Sequence, residues 1–439
     1  MLRRKIEKEI YEFLSAPQDR IMLVQGARQV GKSFIIREIG KKLFPNFIEI
    51  NLAEDKNNER LYENVKSVGE LYFRMSITYG DKLTGDINNT LIFLDEIQEY
   101  PQLITLLKFL NSDARYRFIC SGSLLGITLH NVVSIPVGSI RLLDMYPLDF
   151  KEFLWANGFN DFAINRIKET LSSGKELDDA IHNRLIDLWK KYLVVGGMPR
   201  AVVTFKETNN YQLVREIQYD INRLYEADAA KYDLEHKLKI IRLYKLIPSN
   251  MENKKKRVSV NHIEDRRGSR FKDYEDEFEF LISSGIALEV RAVSNPKFPL
   301  VETETKNLLK LYLNDPGLLT SILYKDEIRA VLDDFRSINL GSVYETAVAA
   351  QLKANGSDLY YYDNKKKGEV DFLINYYKGL SVLPIEVKSG KDYKTHSAIS
   401  KLLADSEYNV KSGIVLSNSG EVRREGDVWY YPVYYSTFL

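Results

Sequence analysis

The chain has 439 residues, 44% of them hydrophobic, with 62 basic against 61 acidic side chains. That length exceeds one ordinary core and predicts roughly two to four domains, and the balanced charge excludes a polyanion binder acting through its whole surface, so nucleic-acid contact would need a local basic patch. One cysteine, Cys120, excludes an intrachain disulfide and reads as a small buried residue in an apolar strand; without an apolar run of about 18 residues or an apolar signal core behind the charged N-terminus, a soluble cytoplasmic protein is expected.

Residues 1–150 alternate strand and helix. The apolar run Ile21-Met22-Leu23-Val24 is the first strand, and Phe34-Ile35-Ile36 opens a helix. Between them Gly26-Ala27-Arg28-Gln29-Val30-Gly31-Lys32-Ser33 is a P-loop in its strand–turn–helix context. Such a turn aims successive backbone N–H groups at one spot, and the helix adds the positive end of its dipole. Gly26 and Gly31 let the backbone approach phosphates closely. Residues Gly26 to Phe34 are therefore the expected ATP-binding segment, with Lys32 reaching the β- and γ-phosphates and the Ser33 hydroxyl on Mg²⁺.

Further strands are expected at Phe47–Leu52, Leu91–Leu94, Arg117–Ser121 and Ile140–Leu143, in an open parallel α/β sheet with ligands at the carboxyl ends of its strands. The third ends in Asp95-Glu96. An aspartate there can bind Mg²⁺ through water, and Glu96 is placed to orient or deprotonate an attacking water. Ser121-Gly122-Ser123 ends the fourth strand, where Ser121 can sense the γ-phosphate or simply make a turn. Residues 150–245 read as helical, broken at Gly196-Gly197-Met198-Pro199, and look like a lid on the nucleotide site; Arg115, Arg141 and Arg200 are rival arginine fingers or plain structural arginines.

Residues 254–272 hold the densest basic stretch: Lys254, Lys255, Lys256, Arg257, Arg266, Arg267, Arg270 and Lys272, against Glu264 and Asp265. With Arg257–Val260, a helix near 270–284 and a strand at 287–293, this reads as a winged-helix-like unit able to contact DNA phosphates, or as a solvated charged face. The last hundred residues place Glu345 on a helix, Asp371 on a strand, and Glu386 and Lys388 two apart on the next strand, hence on one face. Asp371, Glu386 and Glu345 can bind Mg²⁺ for phosphodiester hydrolysis, with Lys388 orienting water or stabilising charge. The pattern is the Asp…Glu-x-Lys signature of restriction-endonuclease-like folds, and the alternative is a fold kept for structure alone.

Taken jointly, the P-loop, Leu94-Asp95-Glu96-Ile97-Gln98, Ser121-Gly122-Ser123, Met145-Tyr146-Pro147-Leu148-Asp149-Phe150, Gly196-Gly197-Met198-Pro199, Lys310 to Leu318, Glu369-Val370-Asp371 and Ile385-Glu386-Val387-Lys388 make a specific pattern. The chain resembles the prokaryotic AAA-type ATPases that pair a P-loop domain with a C-terminal domain of unknown function similar to PD-(D/E)XK nucleases. The resemblance implies an AAA-like P-loop NTPase core at 1–155, a helical lid at 156–248, a winged-helix-like domain at 249–332 and a restriction-endonuclease-like α/β domain at 333–439. It further implies ATP hydrolysis with Mg²⁺, coupled to a DNA-binding or DNA-cleaving C-terminal region or to an inert interaction module. An oligomer is among its implications, since such proteins often form rings. One departure stands out: relatives often carry Gly-Arg after Pro-Val, whereas here Pro136-Val137 is followed by Gly138-Ser139 and the arginine comes later, at Arg141.

Overall fold

Five strands, β1 (Ile21–Gln25), β2 (Asn46–Asn51), β3 (Thr90–Asp95), β4 (Arg117–Gly122) and β5 (Ile140–Asp144), pair in parallel in the order β2-β3-β4-β1-β5. The computed structural model describes residues 2–17, 19–83, 87–123, 137–228, 234–252, 256–263, 269–333, 338–390 and 397–439. β3 is buried along its whole length, as a parallel strand covered on both faces should be. Its apolar residues pack with those of β2 and β4 and of the Pro101–Asp113 helix into one core that includes Ile92, Leu94, Leu107 and Cys120. Cys120 is fully buried, and burial pushes its thiol far above the ordinary range.

The strand order decides what meets what. β4 lies between the P-loop strand β1 and the acidic strand β3, with Val24 opposite Ser121 and Leu94 opposite Cys120. The ends of β1, β4 and β3 therefore bring Gly26, Ser121 and Asp95 side by side, although they are far apart in sequence.

Residues Arg3–Tyr146, with Ser283–Gly285, form one compact unit; Pro147–Ile282 and Ile286–Leu439 form a second. In the second, helices fill most of residues 150–245 as expected, the last running on to Glu252, with the break at Gly196 between helices Asp179–Val195 and Pro199–Thr208. Eight strands follow in one mixed sheet: β6 (Ala287–Val293), β7 (Glu304–Leu313), β8 (Tyr360–Asn364), β9 (Gly368–Tyr376), β10 (Ser381–Lys388), β11 (Gly413–Ser417), β12 (Arg423–Glu425) and β13 (Val428–Pro432), ordered β12-β13-β11-β10-β9-β8-β6-β7. The strand expected at 287–293 in a separate winged-helix-like unit, β6, is thus hydrogen-bonded to β8, and the boundary expected at 332/333 divides one continuous sheet. Arg257–Ser259 forms no strand.

Three of the motifs that carry the resemblance meet in a buried polar node of this unit. Asp315, fully buried, accepts the N–H of Gly197 and, at 2.9 Å, that of Leu318. A Cβ on Gly196, whose φ is +73°, would lie 2.1 Å from Asp315 Oδ1, so only glycine fits. Leu148 N–H donates to Gly197 O at 2.7 Å, and Phe150 N–H to Gln351 Oε1 at 2.7 Å. Burial pushes the Asp315 carboxyl up to about 6 against the backbone N–H groups that hold it. No helix among the described residues is long and apolar enough to cross a membrane.

Candidate functional site

The turn from Gly26 to Gly31 is held open by its backbone. Gly26 has φ +147° and lies so close to Met145 that a Cβ there would come 2.1 Å from Met145 O. Gln29 and Gly31 also take positive φ, and Lys32 then begins the helix Lys32–Leu43. Lys32 is 5% exposed, and its ammonium folds back onto the loop, donating to Gly26 O and Ala27 O at 2.9 Å each. The side chain that should meet phosphate thus lies inside the loop, on neutral carbonyls. Ala27 and Val30 are buried, Arg28 half-buried, Gln29 exposed and Phe34 exposed with its ring outward.

Asp95 stands at the centre of the second layer. Its Oδ1 accepts the Ser33 hydroxyl at 3.0 Å, the Ser121 hydroxyl and, at 3.2 Å, the N–H of Glu96. Burial raises its carboxyl above the ordinary value, and the two hydroxyls only partly offset this. Glu96 behaves in the opposite way. Burial pushes it up, but Lys32, hydrogen bonds from Gln98 and Ser123, and Arg28 together hold it below the ordinary range. Ser123 donates its hydroxyl to Glu96 Oε2 at 3.0 Å. Glu96 also has φ +56°, rare outside glycine and Asn/Asp, and such outliers cluster at functional sites. Ser123 and Gln98 therefore orient Glu96, roles that strand-end position alone does not reveal.

The arginine candidates have other partners. Arg115 lies over the Tyr72 ring at 4.7 Å, Arg141 pairs with Glu9 at 3.5 Å, and Arg200 is exposed.

A second cluster forms in the eight-stranded sheet. The helix Gly341–Ala354 carries Glu345, β9 carries Asp371, and β10, antiparallel to β9, carries Glu386 and Lys388. Lys388 Nζ donates to Glu386 Oε1 at 2.7 Å, which verifies the shared face; Asp371 Oδ2 accepts Val387 N–H at 2.8 Å. Glu345, 3% exposed, accepts the Tyr312 hydroxyl at 3.0 Å and, on its other oxygen, the Lys256 ammonium. Arg257 pairs with Asp363, and Lys310, fully buried, with Glu369.

Two of the expected phosphate-binding cations, Lys256 and Arg257, thus face acids: Glu345 on the helix Gly341–Ala354 and Asp363 on β8. Lys254, Lys255, Arg266 and Arg267 lie outside the described residues; Arg270 and Lys272 are exposed. Burial, reinforced by Asp371, pushes Glu386 up to about 8, although Lys388 opposes it, and Glu386 Oε2 is buried with no hydrogen-bond partner. Burial and Asp371 raise Glu345 as well. Among the described residues no group of three or more His, Cys, Asp or Glu side chains is placed to hold a metal ion. Lys256, Tyr312, Lys388 and the Val387 N–H engage four of the six carboxylate oxygens of Glu345, Asp371 and Glu386.

Three stretches of the chain match family models, one of them over the first site. Residues 18–154 match the model of an AAA domain. Residues 186–328 and 340–435 each match a domain of unknown function, DUF8612 and DUF4143 respectively. No curated protein matches. Among solved structures, the chain is similar to a Walker-type ATPase of Pyrococcus abyssi at 14% identity and a TM-score of 0.44, over 74% of this chain and 96% of that one. It is also similar to S. cerevisiae Hsp104 in its ADP complex at 11% identity and a TM-score of 0.29, over 75% of this chain and 45% of that one. With its P-loop, its parallel five-stranded sheet and the match over 18–154, the first unit is an AAA-type P-loop ATPase domain.

Proposed function

We propose that this chain hydrolyses ATP with Mg²⁺ at the Gly26–Ser33 loop and couples that reaction to a DNA-binding or DNA-cleaving region in residues 286–439. The observation that carries the reading is the contact of Ser33 and Asp95, 3.0 Å apart, beside a Glu96 held ionised. The donor set suits the ligands. A hydroxyl and a carboxylate in contact match the oxygen preference of Mg²⁺, and the turn supplies backbone N–H groups for phosphates. Ser33 and Asp95 would hold the ion, which when bound neutralises charge on the β- and γ-phosphates. Lys32 exchanges its two carbonyl partners for phosphate oxygens. Glu96 accepts a proton from water as the water oxygen attacks the γ-phosphorus and the bridging oxygen leaves on ADP. Ser121, hydrogen-bonded to Asp95, positions that carboxylate. The test is ATP turnover of the wild type beside Lys32→Ala: turnover that persists in the variant sinks the site assignment.

A second reading makes the eight-stranded sheet an inert interaction or DNA-binding module. One observation favours it: Lys256 and Lys388 already neutralise Glu345 and Glu386. The nuclease reading is favoured by the assembly of Glu345, Asp371, Glu386 and Lys388 from a helix and two strands. No metal-dependent step follows from the arrangement as it stands. Cleavage of plasmid or single-stranded DNA, compared with Asp371→Ala and Lys388→Ala, separates the two. Cleavage lost in both variants supports the nuclease; its absence in the wild type supports the module.

A further inference from the structure

Arg4 precedes the helix Ile6–Ser15 and looks unremarkable beside Arg3 and Lys5, yet it is only 7% exposed. A guanidinium is costly to bury unless its N–H groups find acceptors. Arg4 Nη1 donates to Val30 O at 2.9 Å, inside the P-loop, and Nη2 to Tyr146 O at 2.7 Å, just past β5. Its backbone N–H goes to Glu7 Oε1 at 3.0 Å, which seats the start of the helix.

Both ends of the loop are thereby tied to one dipeptide. At the start, Met145 N–H donates to Gln25 O at 2.7 Å, and Gly26 packs on Met145 O. At the end, Arg4 joins Val30 to Tyr146. In a trans peptide the C=O of one residue and the N–H of the next point in opposite directions. Holding Val30 O on Arg4 therefore aims the Gly31 N–H away from Arg4. If that peptide turned over, a carbonyl would replace a donor in the phosphate nest. Lys32 performs the same service for the Gly26 and Ala27 carbonyls, but its ammonium must leave them when phosphate arrives. Arg4 lies outside the loop sequence and holds the Val30 and Tyr146 carbonyls from there.

We propose that Arg4 is a positioning residue for phosphate binding: by clamping the Val30 and Tyr146 carbonyls it keeps the Gly31 N–H turned toward the phosphates while Lys32 changes partners. The inference rests on the reading of this loop as an ATP site. A planar fork suits two carbonyls at once, which an ammonium on a flexible stem cannot match.

The test uses the full chain and fluorescent ATP and ADP analogues. Dissociation constants are measured for the wild type, Arg4→Ala, Arg4→Lys and Ile10→Ala, each below its own thermal unfolding. Ile10 is fully buried on the same helix and its apolar side chain has no hydrogen bond to give the loop carbonyls, so its variant reports the loss of helix packing. Arg4→Ala is expected to weaken both analogues about tenfold, with Arg4→Lys between it and the wild type and Ile10→Ala unchanged. In turnover, Arg4→Ala raises KM and leaves kcat within about threefold, the mark of binding lost equally in ground and transition states. Wild-type affinity in Arg4→Ala, or an equal loss in Ile10→Ala, overturns the proposal. If Arg4→Ala does not fold, Arg4→Lys decides by the same two comparisons. A wild type that binds neither analogue brings down the ATP reading and this inference with it.

Discussion

At the end of β3, Glu96 accepts hydrogen bonds from Ser123 and Gln98, lies near Lys32 and falls below the ordinary carboxylate range. Near the end of β10, Glu386 pairs with Lys388 yet is pushed up to about 8. Glu386 is buried and Glu96 half-buried, each beside a lysine at a strand end, and the difference lies in what else is nearby. Around Glu96 the hydroxyl and amide donors favour the charged form. Around Glu386 the neighbours are more carboxylates, Asp371 and Glu345, and each disfavours another negative charge. The lysines differ too. Lys32 donates to neutral carbonyls, which a phosphate can replace, whereas Lys256 and Lys388 donate to carboxylates. The first site is prepared for an anion from outside; the second is largely neutralised from within. Similar residue types therefore do not imply similar readiness, because buried partners set protonation.

The comparison breaks first at Glu96. Glu96→Gln should retain nucleotide binding but slow turnover by roughly 10²- to 10⁴-fold, the usual worth of a positioned base; steady-state ATPase kinetics with a binding titration check this, and wild-type turnover would remove Glu96 from the mechanism. Next comes Lys256→Ala, which strands the buried Glu345 carboxylate. Breaking a buried ion pair from one side costs about 3–5 kcal/mol, and Lys256→Ala/Glu345→Gln should recover most of it in denaturant unfolding. A near-neutral Lys256→Ala would show that the second cluster is not neutralised from within.

A smaller effect is expected from pH. Glu386 is raised from an ordinary 4.5 to about 8, so its stabilising contribution is complete below 4.5 and is lost as pH rises through about 8. The slope in that window reaches at most about 1.4 kcal/mol per pH unit. Glu386→Gln cannot titrate and should flatten that part of the stability profile, measured by denaturant unfolding at pH 5.5, 7 and 8.5; an unchanged profile would place the raised group elsewhere. Smallest is Ser123→Ala, which removes one hydroxyl from Glu96 and should cost about 1–2 kcal/mol of transition-state stabilisation, roughly tenfold in kcat. No change in kcat would leave the orientation of Glu96 to Gln98 and the Ser123 backbone N–H.

Much of the first site was legible because its signals are local. The eight residues from Gly26 to Ser33 carry glycines, a lysine and a serine whose roles are dictated by spacing, and an apolar run ending in Asp95-Glu96 is a buried strand with acids at its tip. Arg4 and Ser123 were not legible in that way. Arg4 is one cation among several near the N-terminus, and its partners, Val30 and Tyr146, lie 26 and 142 positions away. In the second site, the face shared by Glu386 and Lys388 follows from strand periodicity. Lys256 reads instead as part of a basic patch, because its acid lies 89 positions downstream.

The sequence by itself determined the P-loop, the parallel sheet around it and the residue types at both strand tips, since each depends on neighbours within a few positions. Tertiary structure alone decided that β4 separates β1 from β3, so that Ser33 and Ser121 both reach Asp95. It also decided that the β6–β7 hairpin extends the C-terminal sheet, and that Glu96 is held charged while Glu386 is pushed toward its neutral form. Strand order, burial and protonation depend on which distant side chains exclude water together, and no local pattern of residues encodes that.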